Sequence, residues 1–184
     1  MDEAPVVWIT GLPASGKTAL ARSLCKRLRE LGLRAEALDG EELRKKLSPD
    51  LGFSKEDRRI HASRVTYISS LLARNGIIPI VAIISPYREF RATSRAEVSR
   101  FLEVYVKCSL ETCKRRDKKG LYEMAEKGLL KNLSGVNDPY EEPLNADVII
   151  DSESESAELG AEKIIAKLTD AGFLTKPKVA SNRL

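Results

Sequence analysis

Gly11-Leu12-Pro13-Ala14-Ser15-Gly16-Lys17-Thr18 is the stretch of this sequence that decides the fold. It matches the pattern G-x-x-x-x-G-K-[ST], in which a glycine-rich loop surrounds phosphate groups. Residues 6–10 before it form a short apolar run with β-branched side chains, which predicts a buried parallel strand, and a helical pattern follows it. Strand, loop and helix in this order are the context in which the motif binds phosphate.

The residue types of the loop serve phosphate binding in separate ways. Gly11 and Gly16 let the backbone turn tightly, so that successive N–H groups point at phosphate oxygens. The predicted helix begins at Lys17, and its positive dipole end faces the same anion. Lys17 adds a full charge for the β- and γ-phosphates, and the Thr18 hydroxyl is placed to ligate Mg²⁺. We therefore predict that residues 11–18 bind a nucleotide with Mg²⁺; a turn without a ligand is the alternative.

Length and composition describe one globular domain. The chain has 184 residues and a mass of 20.4 kDa, with 42% hydrophobic and 32% charged residues, which is enough for a substantial core. No apolar run approaches the roughly eighteen residues that span a bilayer, and the N-terminus lacks a basic region followed by an apolar one. We expect no membrane partner and a cytoplasmic location.

The charge balance favours a small polyanionic ligand. The formal net charge is +4 and the isoelectric point is about 8.9, but the basic residues are spread along the chain and mixed with acids, as a site for a small molecule allows. We expect no nucleic-acid partner. Cys25, Cys108 and Cys113 form no metal-binding or C-x-x-C spacing, so we interpret them as packing residues in a reducing compartment.

The rest of the chain alternates short apolar runs with amphipathic stretches. This alternation predicts a three-layer α/β domain over residues 1–174, with a five-stranded parallel sheet. Pro79 indicates that the first residues of the third strand are unpaired. The predicted strands are 6–10, 34–38, 77–84, 101–108 and 147–150, and the predicted helices are 17–31, 41–47, 54–75, 89–99, 110–116 and 156–171.

Two segments are predicted to lie outside the core. Residues 117–143 are rich in charge, Gly and Pro and have too little apolar periodicity for core. We therefore predict a mobile flap there, with a short helix at 121–127. Residues 175–184 are predicted to form a frayed C-terminal tail.

Three motifs follow predicted strands: the phosphate loop, Asp39-Gly40 and Ser85-Pro86. Parallel sheets bind ligands at the carboxyl ends of their strands, so these motifs should meet at one rim. No N-K-x-D motif for guanine occurs, and the chain has no room for the effector domains of a motor ATPase. A small-molecule kinase fits best, with Asp39 or Glu41 orienting Mg²⁺ or accepting the proton of the acceptor hydroxyl.

Other interpretations remain open at this point. The chain could be another small phosphotransferase, acting on a nucleoside monophosphate or a sugar-like alcohol, or a nucleotide-dependent binding module without turnover. Asp39 could be an ordinary turn residue before Gly40.

Further motifs occur in the order and over the extent, about residues 6–150, that are typical of one kinase family. Besides residues 11–18 they are Asp39-Gly40-Glu41-Glu42-Leu43-Arg44, Leu51-Gly52-Phe53-Ser54 with Asp57-Arg58, Ile84-Ser85-Pro86-Tyr87-Arg88, Arg116-Asp117 with Lys119-Gly120-Leu121-Tyr122, and Ser134-Gly135-Val136 before Tyr140-Glu141. In these motifs the chain resembles the adenylylsulfate kinases, a family of P-loop kinases. The resemblance implies transfer of the ATP γ-phosphate to the ribose 3′-hydroxyl of adenosine 5′-phosphosulfate, giving 3′-phosphoadenosine 5′-phosphosulfate. Adenosine 5′-phosphosulfate is then the expected small-molecule partner, and a homodimer is the expected assembly.

The same resemblance implies roles for single residues. Arg44 and Arg58 would supply forked donors for the phosphosulfate, and Phe53 would stack on the adenine of the acceptor. The implied catalytic residues are Lys17, Asp39 and Ser85; Thr18 and Glu41 would hold the metal; Arg116 would contact the ATP adenine; and the acceptor site would also include Asp39, His61, Ile84, Ser85, Lys119, Gly120 and Leu121. We expect Ser85 to form hydrogen bonds or to fix its turn, because in-line transfer needs no covalent carrier.

Several of these residues have a plainer interpretation. Arg44 and Arg58 could be solvated helix charges, Phe53 could be a core residue, and Lys119 could be a surface lysine.

The chain departs from the family pattern at four positions. Glu41, His61, Ser63 and Leu133 stand where the family usually has Asp, Asn, Arg and Phe. The Leu133 replacement affects only the packing of the flap. An unperturbed imidazole changes its charge at about pH 6.5. Because His61 stands at a position that touches the acceptor in the family, we predict that the affinity for the acceptor depends on pH. A packed neutral histidine at the start of its helix is the alternative.

Overall fold

The computed structural model describes residues 3–174, and the protein forms a five-stranded sheet in which every pairing is parallel. The strands are β1 (Val6–Thr10), β2 (Ala35–Asp39), β3 (Ile78–Ala82), β4 (Phe101–Lys107) and β5 (Val148–Asp151). Their order across the sheet is β2-β3-β1-β4-β5. The α/β class and the five-stranded parallel sheet predicted from the sequence are confirmed.

Seven helices connect and flank these strands within the described residues. They are α1 (Lys17–Glu30), α2 (Gly40–Leu47), α3 (Lys55–Arg74), α4 (Arg88–Glu97), α5 (Leu110–Arg116), α6 (Leu121–Glu126) and α7 (Ala157–Asp170). In this part of the chain, no helix is both long and apolar enough to cross a membrane.

The sheet separates two hydrophobic cores, because successive side chains of a strand point to opposite faces. Val7 and Ile9 of β1 pack with residues of α1 and α7. Val6 and Trp8 of the same strand pack on the other face with Val65 of α3. Residues 6–10 are fully buried, which explains why this strand has an unbroken apolar sequence.

Local capping determines where α3 begins and ends. The Ser54 hydroxyl accepts a hydrogen bond from the Asp57 backbone N–H, and the Asp57 carboxylate accepts one from the Ser54 N–H, which together form a capping box. The helix ends at Arg74, just before Gly76, whose φ of 70° suits a residue without a side chain. Both ends agree with the sequence prediction.

The prediction for Pro79 was wrong. Ile78 and Pro79 pair with Ala35 and Glu36 of β2, whereas the pairing with β1 begins only at Ile80. The Ile78 N–H donates to the Arg34 carbonyl, on the β2 side. The nitrogen of the next residue, Pro79, therefore faces the β1 side, where pairing begins only at Ile80. Ile83 and Ile84, predicted as strand, lie beyond the end of β3.

The prediction that residues 117–143 contain too little apolar sequence for core was also wrong. Tyr122, Ala125 and Leu133 are buried there and pack against Cys108 and Cys113. This small core lies beside the end of β4, apart from the two cores of the sheet, so no long periodic pattern marks it. The mobility of the segment remains a prediction, and the predicted tail at 175–184 falls outside the described residues.

All three cysteines are buried and free of disulfides. Their interpretation as packing residues agrees with this placement.

Candidate active site

The phosphate loop lies between the carboxyl end of β1 and the first residue of α1. Ala14 and Gly16 have positive φ angles of 59° and 104°, so the backbone reverses its direction within a few residues. A Cβ at Gly11 would lie 2.8 Å from the carbonyl oxygen of Val106, which leaves no space there for a side chain. The loop therefore presents backbone N–H groups at the positive end of α1.

Lys17 lies under this loop with 8% of its surface exposed. Its Nζ donates hydrogen bonds to the Leu12 carbonyl at 2.6 Å and to the Ser15 hydroxyl at 3.4 Å. Burial lowers the pKa of Lys17 from 10.5 to about 8, because the charged form loses solvent. A phosphate in the loop would favour the charged ammonium.

Asp39 and Thr18 meet at the ends of neighbouring elements. The Thr18 hydroxyl donates to Asp39 Oδ2 at 2.8 Å, and Asp39 Oδ1 accepts from the Glu41 backbone N–H at 2.9 Å, which caps α2. Asp39 is therefore both a helix cap and a neighbour of the phosphate loop. The rim predicted from strand ends does bring these two motifs together.

The two oxygens suit a small divalent cation. Mg²⁺ takes oxygen ligands at about 2.0–2.1 Å in octahedral geometry, so adjacent ligands lie about 2.9 Å apart. Thr18 Oγ1 and Asp39 Oδ2 are 2.8 Å apart. The described residues contain no group of three or more His, Cys, Asp or Glu side chains that could hold a metal ion.

Glu41 and Lys119 form an ion pair, although they are 78 positions apart and both exposed. Glu41 is thus paired with Lys119, while Asp39 is the carboxylate that lies against Thr18. This ion pair holds the loop that precedes α6 against the first turn of α2. Gly120 has a φ of 68° and caps α6, whose first residue is Leu121.

Ser85 occupies a strained position after β3. Its φ is 44°, which is uncommon for a residue with a side chain. Only 7% of Ser85 is exposed, and its hydroxyl has no hydrogen-bond partner within residues 3–174. The adjacent Ile84 carbonyl accepts a hydrogen bond from the Thr10 hydroxyl at 2.6 Å, so the turn is tied to the end of β1.

A second cluster, which we call the acceptor cluster, consists of Arg44, Phe53 and Arg58. The guanidinium carbons of Arg44 and Arg58 lie 5.0 Å and 5.6 Å from the centroid of the Phe53 ring. Phe53 is 49% exposed, so its interpretation as a core residue was wrong. The cluster offers a flat apolar surface between two cations.

The two arginines of this cluster are held in place by backbone carbonyls. Arg58 is 7% exposed and donates to the carbonyls of Phe53 at 3.1 Å and Asn132 at 2.5 Å. Arg44 donates to the Gly52 carbonyl at 2.9 Å, and burial together with the charge of Arg58 lowers its pKa to about 10. Two cations pressed together in this way favour an anion between them. Arg58 is not the solvated helix charge that was the alternative.

His61 is buried at 5% exposure, and its Nδ1 lies 2.9 Å from the Ser48 hydroxyl. Burial, followed by the charges of Arg44, Arg58 and Arg64, lowers the pKa of His61 from 6.5 to about 3. The prediction that its charge changes near neutral pH was wrong, because desolvation and three cations disfavour the imidazolium. The packed neutral histidine is the arrangement found.

Arg116 lies at the edge of a cavity that opens beside the phosphate loop. Its guanidinium donates to the Ser152 hydroxyl at 3.0 Å and to the Ser152 carbonyl at 2.8 Å. The cavity has a volume of about 290 Å³, and its lining includes Gly16, Leu20, Val106 and Ile150. An apolar cleft with a fixed guanidinium can hold an aromatic base.

The segment 117–143 contacts both the phosphate loop and the acceptor cluster. The Tyr122 hydroxyl donates to the Pro13 carbonyl at 2.8 Å, and the Tyr140 hydroxyl lies 3.0 Å from the Thr10 hydroxyl. Asp138 accepts a hydrogen bond from Tyr87 at 2.9 Å and lies 3.4 Å from Arg58. The sequence indicates no role for these side chains, since tyrosines in a charged segment without periodicity carry no local signal of their partners.

Arg91 was missed for a related reason. It is 2% exposed and donates to Glu103 at 2.7 Å and to the carbonyls of Ser85 and Glu141 at 2.6 Å each. It therefore holds the Ser85 turn against the segment that follows Asp138. From the sequence, an arginine on an amphipathic helix is expected to face solvent.

The protein has a phosphate loop at the first strand of a parallel α/β sheet, and a carboxylate that could ligate a metal lies beside this loop. Together with a second cluster that carries two arginines, this arrangement defines a P-loop kinase. Comparison with known proteins gives the family. The sequence model of adenylylsulphate kinase matches residues 3–151. The chain belongs to the adenylylsulfate kinase family and is an ATP-dependent phosphotransferase.

Individual relatives cover nearly the whole chain. An adenylyl-sulfate kinase of Picosynechococcus sp. is 45% identical over 169 residues, covering 92% of this chain and 96% of the relative. A probable adenylyl-sulfate kinase of Pyrococcus abyssi is 46% identical, covering 94% and 99%. The structure of the Mycobacterium tuberculosis APS kinase CysC in complex with AMPPNP and APS superposes with a TM-score of 0.88 at 36% identity, covering 92% of this chain and 99% of that one.

Proposed function

We propose that this protein transfers the γ-phosphate of ATP to the ribose 3′-hydroxyl of adenosine 5′-phosphosulfate, giving 3′-phosphoadenosine 5′-phosphosulfate and ADP. The observation that carries the proposal is the contact of Asp39 with Thr18 at 2.8 Å. Asp39 caps the N-terminus of α2, the helix that also bears Arg44. One short helix thus connects the phosphate loop to the acceptor cluster. Family membership and the related complex with AMPPNP and APS support it.

In this proposal the nucleotide half of the site consists of residues 11–18, with Arg116 at the adenine. The β- and γ-phosphates lie against the loop N–H groups and Lys17, whose charge is stabilised by the anion. The adenine occupies the cavity between Gly16 and Arg116. Thr18 and Asp39 would hold Mg²⁺, which would neutralise charge on the phosphates. Glu41 remains a predicted metal contact, and to serve as one it must leave Lys119.

The acceptor half is built around the acceptor cluster. Arg44 and Arg58 bind the phosphosulfate, because forked guanidinium groups match the geometry of oxyanions. Phe53 is half exposed, and its ring is available to stack on adenine. We assign the remaining contacts to His61, Ile84, Ser85, Lys119, Gly120 and Leu121.

Catalysis then depends on alignment and charge. We assign Asp39 as the acceptor of the 3′-hydroxyl proton, and Lys17 as the cation that stabilises the charge on the transferred group. Within residues 3–174 the Ser85 hydroxyl has no hydrogen-bond partner, and we assign it a hydrogen bond to the acceptor. A phosphoserine intermediate is unnecessary, since in-line transfer needs no covalent carrier.

The proposal includes a homodimer in the cytoplasm. Sedimentation of the purified chain, which has a mass of 20.4 kDa, tests the assembly. A monomer at micromolar concentration would contradict it.

Coupled measurement of ADP release tests the activity. We expect release with adenylylsulfate and none above background with AMP, with gluconate or without an acceptor. Release with AMP or gluconate would indicate a different small-molecule kinase. No stimulation by any acceptor would indicate a nucleotide-binding module.

A further inference from the structure

Ser48 and His61 form a buried pair next to the acceptor cluster. Ser48 is the C-cap residue that follows α2, and His61 lies in the second turn of α3. The Ser48 hydroxyl is 2.9 Å from His61 Nδ1, and the two residues are 1% and 5% exposed. Neither residue belongs to the phosphate loop or to the acceptor cluster, so the roles assigned to those two sites give no reason for this hydrogen bond.

The surroundings of Ser48 determine which atom is the donor. A neutral imidazole has one protonated and one bare nitrogen, and a serine hydroxyl can donate or accept. Within residues 3–174, His61 Nδ1 is the one hydrogen-bond partner of the Ser48 hydroxyl. If Nδ1 carried the proton, the buried hydroxyl would have no acceptor for its own, which is unfavourable. Ser48 therefore donates, and the ring proton lies on Nε2.

Among residues 3–174, His61 Nε2 has no hydrogen-bond partner, and it is not fully buried. In this part of the chain it is therefore available to a ligand. His61 follows Arg58 by three positions in α3, so the two side chains share a helix face. Arg44 and Arg58 are also close enough to act on its charge.

We propose that Ser48 is a positioning residue that fixes His61 as the Nε2–H tautomer, so that the imidazole donates a hydrogen bond to the anionic acceptor beside Arg44 and Arg58. This rests on the proposed function, because it assumes that the adenylate binds at the acceptor cluster. A neutral N–H adds a donor without placing a third full charge between two guanidinium groups. The tautomer matters because a bare Nε2 would face the anion with a lone pair.

The tautomer can be observed directly, since His61 is the single histidine of the chain. Long-range ¹⁵N–¹H spectra of the labelled full-length protein distinguish a protonated from a bare ring nitrogen. We expect a protonated Nε2 and a bare Nδ1 in the wild type, and a mixture with the Nδ1–H form in Ser48→Ala. A bare Nε2 in the wild type, or an unchanged tautomer in Ser48→Ala, would overturn the proposal.

Kinetics test the consequence for the acceptor. Loss of one oriented hydrogen bond predicts an acceptor KM about 3- to 10-fold higher in Ser48→Ala, with kcat within about twofold. In a His61→Asn background the amide has no tautomer, so the same change should have no further effect. Equal effects in both backgrounds would indicate a structural role and reject the positioning role. Ser63→Ala, at an exposed serine of α3, is the control and should leave KM unchanged.

These experiments separate this inference from the proposed function. The spectra need no substrate, and they apply even if adenylylsulfate fails to stimulate ADP release in the wild type, a result that would reject the function. Normal wild-type kinetics with an unaffected tautomer in Ser48→Ala would reject only the inference. If Ser48→Ala does not fold, Ser48→Cys keeps a weak donor of similar size and should show a smaller change in the same direction.

Discussion

The hydroxyl of Tyr122 donates a hydrogen bond to the carbonyl of Pro13 across 109 positions of sequence, at 2.8 Å. This contact joins α6 to the phosphate loop from outside the sheet. Tyr122 is 2% exposed, so this hydrogen bond is shielded from solvent. The geometry of the loop is therefore supported by a residue far away in the chain.

Tyr122→Phe should loosen the phosphate loop. The buried Pro13 carbonyl loses its donor, which costs about 1 kcal/mol of unfolding free energy and raises the KM for ATP a few-fold. Urea unfolding and steady-state kinetics measure the two effects. Tyr67→Phe, at a tyrosine that is 63% exposed, is the matched control, and equal behaviour of the two variants would contradict this role.

Lys17→Ala should abolish transfer. It removes the charge opposite the γ-phosphate, and losses of about 10³-fold or more in kcat/KM are expected for such an electrostatic group. ADP release with saturating adenylylsulfate gives the measurement. Lys26→Ala, on the exposed face of the same helix, should behave as the wild type. An unaffected kcat/KM in Lys17→Ala would refute the phosphate site.

Asp39→Asn separates the two functions of this side chain. Asparagine caps helices about as well as aspartate, so α2 should remain folded. The metal ligand and proton acceptor are lost, and kcat should fall by about 10²- to 10⁴-fold. Glu42→Gln, in the first turn of α2 and exposed, should keep full activity. If Asp39→Asn retained wild-type kcat, Asp39 would be a cap and nothing more.

Phe53→Ala should weaken acceptor binding with little loss of stability. Stacking of a base on an aromatic ring contributes about 1–3 kcal/mol, so the acceptor KM should rise by about 5-fold or more. Since Phe53 is 49% exposed, its removal creates no large cavity. The Tm from calorimetry measures the change in stability, and titration with the acceptor measures the change in KM. A loss of Tm typical of a buried phenylalanine, together with a normal acceptor KM, would show that Phe53 is a packing residue and does not stack on the base.

His61 should make the fold sensitive to acid. In the unfolded chain it takes up a proton below its ordinary pKa of 6.5, whereas the folded pKa is about 3. Between these values the unfolded state binds more protons, so stability falls as the pH falls, by up to about 1.4 kcal/mol per pH unit. His61→Asn should reduce this slope in urea unfolding between pH 6 and 4. Identical pH profiles of the two proteins would rule out the lowered pKa.

Local patterns allowed much of the fold to be predicted. The loop at residues 11–18, the capping box of Ser54 and the apolar runs of the five strands each depend on a few neighbouring residues. The failures have a common cause. Pro79 pairs on one side alone, and Tyr122 and Leu133 form a small core outside the sheet; both facts depend on what lies beside the segment.

The sequence by itself determined the phosphate loop, the alternation of strands and helices along the chain, and the motifs by which the chain resembles a kinase family. Only the tertiary structure decided that Asp39 meets Thr18, that Arg58 is held by the Asn132 carbonyl 74 positions away, and that His61 is neutral. The physical reason is that hydrogen-bond partners and desolvation are properties of packed surroundings, which residues distant in sequence provide.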